Sequence, residues 1–238
     1  MNQSCEIVKT QQGQYSLYAL DDGFDYTAMW QSFMQGNRDG VTTLRIEDVR
    51  EVYLIETQGR KLILKIDSYV PDRFEKKLRF IAFSPYFSKQ MRQVRNAIKK
   101  GCRLVPDLFF VAEKKEGIVI TQSVIVQEYI EGEHFSDVQA VLENEKTLVA
   151  AVKELHSFGL VHCDLNLDNI FVTSEGIRFI DLSSTGTRIG GLGKDIMRLR
   201  DYFGIRMPLT SPLEKTAYYY TTAKFILQNI ISGKRRTG

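Results

Sequence analysis

Asp164 and Asn169 stand five positions apart in the stretch His162-Cys163-Asp164-Leu165-Asn166-Leu167-Asp168-Asn169, and the apolar run Ile170-Phe171-Val172 follows at once. A second short apolar run, Phe179-Ile180, ends on Asp181. Two acids and an amide in this order suit phosphoryl transfer. Asp164 would orient an attacking hydroxyl and accept its proton, while Asn169 and Asp181 would hold Mg²⁺ against the phosphates of ATP. A tight turn at Ser174-Glu175-Gly176 would make the two runs adjacent strands and bring Asn169 and Asp181 together.

The stretch resembles the catalytic loop of protein kinases, H-R-D-x-x-x-x-N followed by a metal-binding Asp. Each residue alone has a plainer reading, such as a turn cap for Asp164; the combination is what carries the chemistry. Asn166 stands where protein kinases usually carry lysine: it steadies the γ-phosphate, helps orient Asp164, or is an ordinary loop amide. His162 reads as structural, packing and hydrogen-bonding under the loop, His156 as a packed helix residue, and Asp195 as a helix cap that braces the loop.

Lys65 closes the aliphatic run Leu62-Ile63-Leu64 on the third of three β-like runs, matches the V-A-I-K pattern and would grip the α/β-phosphates; the alternative is a strand-edge lysine on a solvated face. Its acidic partner stays open, because Glu75, the only glutamate between Lys65 and Glu113, serves equally well in a capping box. Glu128 and Ile130 fall where the backbone of a hinge would meet adenine. No glycine lies between Val41 and Glu56, so amides of the Glu47-Asp48-Val49-Arg50 turn would cover the phosphates in place of a Gly-rich loop. Lys194 follows only 13 positions after Asp181, with no A-P-E beyond it, which suits a small or glycan substrate better than a docked peptide. The strip Ser183–Arg188 with Gly190-Gly191 is flexible and hydroxyl-rich, either a sugar and phosphate contact or a plain surface loop.

These residues need elements to hold them. A short helix is expected from Asp25 to Met34, and strands over Val41–Ile46, Glu51–Thr57 and Lys61–Ile66, with Gln58-Gly59 as a hairpin turn. Helices follow from the capping-box spacing at Asp72–Glu75 and from Ser84-Pro85 to Gly101. Two more strands are expected over Leu108–Lys114 and Ser123–Glu128. Helices are then expected over Glu143–Phe158, ended by Gly159, over Lys194–Tyr202, and from the capping box Ser211–Glu214 to about Ser232. The expected fold class is α+β, a protein-kinase-like two-lobed fold: residues 1–130 form a β-rich N-terminal lobe with a short extension, residues 131–238 a mainly helical catalytic lobe, and ATP binds in the cleft between them.

Composition agrees with a folded chain of 238 residues, 43% hydrophobic and 26% charged. No apolar run reaches the ~18 residues of a membrane span, and the N-terminus lacks a secretion-signal pattern. Three scattered cysteines form neither a disulfide framework nor a zinc spacing, so the expected location is cytoplasmic. A net charge of +3 is too small to imply nucleic-acid binding. Lys234-Arg235-Arg236 complements a helix C-terminus or touches an anionic membrane surface, weakly in the absence of a wide apolar face.

From about Tyr15 to Ile205 the chain resembles the lipopolysaccharide core heptose (II) kinase family. The resemblance is carried by Gln35-Gly36-Asn37, Val52-Tyr53-Leu54-Ile55-Glu56-Thr57, Gly59-Arg60-Lys61-Leu62-Ile63-Leu64-Lys65, Gln127–Gly132, Ile180-Asp181-Leu182-Ser183, Lys194-Asp195 and Tyr202-Phe203-Gly204-Ile205. It implies a kinase-like fold, ATP with Mg²⁺, and a lipopolysaccharide core glycolipid as acceptor at the cytoplasmic face of the inner membrane. The His162–Asn166 stretch is also similar to 3-deoxy-D-manno-octulosonic acid kinases and to ordinary phosphotransferases. An aminoglycoside-like acceptor and a nucleotide-binding pseudokinase scaffold are the other readings.

Overall fold

A computed structural model describes residues 6–68, 87–117, 119–182 and 188–234. The expected helix starts at Asp72–Glu75 and Ser84-Pro85, the Glu75 side chain and residues 183–187 of the hydroxyl-rich strip lie outside them. The chain forms two compact units, one of Met1–Gly101 and Pro106–Ile130, the other of Cys102–Val105 and Glu131–Gly238. The fold class is α+β, as the sequence predicts, with the strands concentrated in the first unit and the helices in the second.

The first unit is built on an antiparallel sheet of seven strands: β1 (Ile7–Gln12), β2 (Tyr15–Leu20), β3 (Val41–Glu47), β4 (Arg50–Thr57), β5 (Arg60–Ser68), β6 (Leu108–Glu116) and β7 (Val119–Glu128). Their spatial order is β1-β2-β6-β7-β5-β4-β3. Gln58 and Gly59, at φ +48° and +74°, make the two-residue turn between β4 and β5, the left-handed pair that matches the twist of a hairpin. Central β5 and β7 supply much of the core, with Leu62, Leu64, Val124 and Val126 at most 1% exposed. Helix α1 (Tyr26–Met34) is capped by Asp25, whose carboxylate accepts the Ala28 N–H, and buries Tyr26, Trp30 and Phe33 on one face. Helix α2 (Phe87–Lys99) packs on β6, and its Ser88 N–H and hydroxyl donate to the fully buried Glu113 carboxylate at 3.1 and 3.2 Å.

The second unit holds a small sheet, β8 (Glu133–His134), β9 (Ile170–Thr173) and β10 (Gly176–Phe179), in the order β10-β9-β8. Around it stand α3 (Val138–Glu143), α4 (Glu145–Ser157), α5 (Arg188–Phe203) and α6 (Pro212–Lys234). Several boundaries differ from expectation, β7 for one starting at Val119 and not at Ser123. Asn144, with a side-chain amide donating to the Ala140 carbonyl, separates α3 from α4. Helix α5 begins six residues before the expected Lys194, so Gly190 and Gly191 are helical and not part of a loop. The N-terminal hairpin β1–β2 was not signalled, because β1 is an edge strand whose residues are nearly all exposed and carry no inward-outward alternation. Helix α6 starts as predicted: Glu214 accepts the Ser211 N–H at 2.8 Å while its own N–H donates to the Ser211 hydroxyl at 3.1 Å. No described helix is long and apolar enough to cross a membrane.

Candidate active site

The 162–169 loop starts where α4 stops. Gly159 takes φ +81°, its N–H donates to the His156 carbonyl at 3.0 Å, and the Leu160 N–H donates to the Leu155 carbonyl at 3.2 Å. This Schellman arrangement turns the chain sharply off the helix and into the loop. The loop is then fastened from the side by Asp195 of α5. Its carboxylate is completely buried and accepts three bonds: His162 N–H at 2.8 Å, Cys163 N–H at 2.6 Å and His156 Nε2 at 2.9 Å. Those bonds satisfy the buried charge and hold Cys163 at φ +69°, a left-handed conformation costly for a residue with a side chain. Asp195 thus braces the loop, as the sequence suggests, but from inside a helix rather than as its cap.

Gly191 makes the close approach of α5 possible. A Cβ there would lie 2.4 Å from the Val161 Cγ2 and 3.1 Å from the Cys163 Sγ. Burial, with the Asp195 charge beside it, pushes the Cys163 thiol up to about 12, so this cysteine is a packed group and not a nucleophile.

His162 is wholly buried and ties the two ends of the site together. Its Nδ1 accepts the Asp164 N–H at 3.2 Å, and its Nε2 donates to the Ile180 carbonyl at 2.8 Å. Both bonds require the neutral imidazole protonated on Nε2. Desolvation holds its pKa below the ordinary histidine value, against the pull of Asp195. Its ring meets Phe179 edge-on at 5.9 Å.

Asn169 closes a single 3-10 turn, Leu167–Asn169, and is 8% exposed. Its Nδ2 donates to the Asp164 carbonyl at 2.9 Å, and its own carbonyl accepts the Ile180 N–H at 3.0 Å. The β9–β10 hairpin pairs Ile170 with Phe179 and Thr173 with Gly176, which puts Asn169 and Asp181 at its open end. Asp181 has φ +56°, so the chain turns sharply at this acid. The Asp164 carboxylate is half-exposed and meets a guanidinium nitrogen of Arg198 at 3.1 Å. Asn166 points its Nδ2 at the Asp164 carbonyl at 3.3 Å, and its Oδ1 is a buried acceptor with no partner among the described residues.

Asp164, Asn166 and Asn169 are therefore joined in the second unit by one network that reaches Ile180, the residue before Asp181. Lys65, Glu128 and Ile130 belong to the first. Lys65 is 9% exposed and sits between Val52 of β4 and Ile125 of β7. It is interior to the sheet and not a solvated strand-edge residue. The register places Asp67, Ser123 and Glu113 in the next row on the same sheet face as Lys65. Of these acids, Asp67 pairs with Arg50 at 2.6 Å and Glu113 receives the start of α2. The Glu128 carboxylate accepts the Asp107 N–H at 3.1 Å and its N–H donates to the Asp107 carbonyl at 2.9 Å; Ile130 is buried. The β3–β4 turn is a two-residue one, Asp48-Val49, between paired Glu47 and Arg50.

Arg198 was not anticipated, although a signal existed. It stands three residues after Asp195 on α5, and i, i+3 neighbours share a helix face. A residue that braces the loop therefore predicts a second loop contact at that spacing.

The donor set suits a hard cation. With its Nδ2 committed to Asp164, Asn169 has its Oδ1 left as a donor to a metal, and Asp181 follows the facing strand of the same hairpin. Among the described residues no cluster of three or more His, Cys, Asp or Glu could hold a metal by itself. Two oxygen donors match the way Mg²⁺ is carried, mostly by phosphate and water with few protein ligands.

The family model described as lipopolysaccharide core biosynthesis protein (WaaY) matches residues 6–235. An Escherichia coli protein named lipopolysaccharide core heptose(II) kinase WaaY is 24% identical over 192 residues, covering 80% of this chain and 84% of its own. The protein of the same name from Escherichia coli strain K12 is 23% identical over 216 residues, with 90% and 91% covered. Among solved structures, the Mycobacterium tuberculosis PknI kinase domain aligns with TM-score 0.44 at 18% identity, covering 76% of this chain and 83% of that one. Aminoglycoside phosphotransferase APH(4)-Ia aligns with TM-score 0.44 at 13% identity, covering 85% of each. With the family model spanning nearly the whole chain, the protein belongs to the lipopolysaccharide core biosynthesis protein (WaaY) family.

Proposed function

We propose that the protein is an ATP-dependent kinase that transfers the γ-phosphate to a heptose hydroxyl of the lipopolysaccharide inner core. Family membership and the heptose(II) kinase relatives support the reaction and the acceptor. The observation that carries the chemistry is the single network in which buried His162 links the Asp164 backbone to the residue before Asp181, and Asn169 links to both.

In this reading Asp164 accepts the proton of the attacking sugar hydroxyl as its oxygen bonds to the γ-phosphorus and the bond from that phosphorus to the β–γ bridging oxygen breaks, releasing ADP. Arg198 holds one carboxylate oxygen of Asp164 so that the other faces the acceptor. The buried Asn166 Oδ1 accepts a hydrogen bond from the acceptor or orients the base. Asn169 and Asp181 hold Mg²⁺, and Lys65 grips the α/β-phosphates. The bound metal–nucleotide supplies the phosphoryl group and neutralises charge on it; the chain supplies position and exclusion of wrong geometries. The backbone around Glu128 and Ile130 is assigned to adenine. A lipid-linked acceptor places the reaction at a membrane surface, and peripheral contact at the cytoplasmic face of the inner membrane is part of the reading.

The test is purified enzyme with ATP, Mg²⁺ and a panel of truncated core glycans, read by the mass of one added phosphate. The heptose-terminated glycan should be the preferred acceptor. Asp164→Asn should lower turnover by about 10²-fold or more; near-normal turnover in that variant would remove Asp164 from the role of base.

A further inference from the structure

Helix α6 turns its apolar side outward. Against the body of its unit it packs small groups: Ala217 is completely buried, and a Cβ on Gly193 of α5 would lie 2.0 Å from the Thr221 hydroxyl and 2.3 Å from the Ala217 carbonyl. The opposite side carries Tyr219, Tyr220, Ala223, Ile226, Leu227 and Ile230. That spacing, i, i+1, i+4, i+7, i+8 and i+11, is one continuous stripe on a helix. Its large members are all more than half exposed: Tyr219 67%, Tyr220 53%, Ile226 52%, Leu227 59% and Ile230 51%; Phe225, off the stripe, is 53% exposed as well. A surface helix normally does the reverse, burying such a stripe and exposing polar residues. The expectation that no wide apolar face accompanies the basic C-terminal residues is therefore corrected.

Charge identifies what covers the stripe. From residue 215 onward the chain has five basic residues (Lys215, Lys224, Lys234, Arg235 and Arg236) and no acid. The other 27 basic residues face 29 acidic ones, so everything before it carries net −2 while this segment carries +5. Lys215 and Lys224 are exposed beside the stripe. An apolar stripe containing aromatic residues, flanked by cations and neutral polar groups with no acid after Glu214, is the pattern of a helix lying in the headgroup region of an anionic bilayer. Two-fold pairing of two copies through this face would instead set two strongly cationic segments together.

We infer that α6 docks this protein onto an anionic lipid surface, its outward stripe entering the headgroup layer and its basic residues meeting the lipid phosphates. The inference deepens the reading of a lipid-linked acceptor but does not depend on it, since adsorption to lipid needs neither nucleotide nor glycan. The experiment is co-sedimentation of the full chain with vesicles of phosphatidylcholine alone and of phosphatidylcholine with phosphatidylglycerol, at low and raised salt. The wild type should partition onto the anionic vesicles, more weakly onto neutral ones, and less at raised salt. The triple variant Tyr219→Ser/Ile226→Ser/Ile230→Ser should lose about tenfold or more of that partitioning, with an unchanged circular dichroism spectrum and unchanged turnover on a soluble truncated glycan. The single variant Ile230→Glu should lose part of it. The proposal is overturned if wild type ignores anionic vesicles, if both variants bind as wild type does, or if sedimentation equilibrium shows a wild-type dimer that the triple variant dissolves with no change in vesicle binding. Absent turnover with intact vesicle binding would instead count against the kinase reading alone.

Discussion

At the scale of single residues, Asp164, Asn169 and Asp181 drew the phosphoryl-transfer reading because that chemistry fixes their order, and the supporting role of His162 was legible because a histidine before such a loop has little else to do. The strength of the Asp195 anchor was not, since a buried carboxylate receiving two backbone N–H groups leaves no local pattern. His162 turns this network into a pH dependence. Its folded pKa lies below the unfolded value of 6.5, so the unfolded chain binds the proton more readily and stability rises with pH through that window. The neutral ring's contribution is complete above about pH 6.5 and declines as pH falls towards the folded value. Protonating Nδ1 also breaks its bond to the Asp164 N–H. Urea midpoints should fall between about pH 7 and 5 in wild type, and the slope should flatten in His162→Gln. An equal slope in both proteins rejects this assignment. Arg198 meets the Asp164 carboxylate from α5, and in the proposed reaction it orients that base. Arg198→Ala should lower kcat by about 10–10²-fold while the KM for ATP holds, and Arg198→Lys should restore part of it. A change confined to the KM for ATP would show that Arg198 serves the nucleotide instead.

Elements were legible where their boundaries carry their own chemistry. The Gln58-Gly59 turn and the Ser211–Glu214 box each satisfy backbone groups locally, and each was found; the helix expected from Asp25 starts one residue later, with Asp25 as its cap. Elements defined by their neighbours were missed. Strand β8 is two residues long and exists through its pairing with β9, and the early start of α5 depends on where its glycines allow it to pack. Gly190-Gly191 read as loop residues from composition, yet glycine here removes side chains between α5 and the loop it braces. Gly193 does the same towards α6, and there the obstruction is backbone. A methyl group 2.3 Å from the Ala217 carbonyl requires the two helices to separate. Gly193→Ala should therefore destabilise the protein by about 1–3 kcal/mol, read as a lower urea midpoint. A midpoint equal to or above that of wild type would mean that the helix pair yields without cost.

For the whole molecule, the class followed from the order of patterns, strand-rich runs before helical ones, and that order survived every boundary error. That Lys65 of one unit and Asn169 and Asp181 of the other serve one ligand is proposed from resemblance, because a linear sequence does not report which residues of separate cores share a ligand. Linkage between binding and folding makes that sharing measurable. A ligand at 100 times its Kd stabilises the folded state by about 2.7 kcal/mol. If Asn169 and Asp181 carry the metal and Lys65 the phosphates, ATP with Mg²⁺ should raise the unfolding midpoint well beyond ATP with a chelator. Asp181→Asn should erase that metal-dependent increment, because it removes the one carboxylate of the donor pair. Lys65→Met should diminish stabilisation with or without metal. Asp164→Asn should keep the full increment, since the base touches the acceptor and not the nucleotide. Equal stabilisation of the wild type with and without Mg²⁺ would instead describe a scaffold that holds nucleotide without preparing it for transfer.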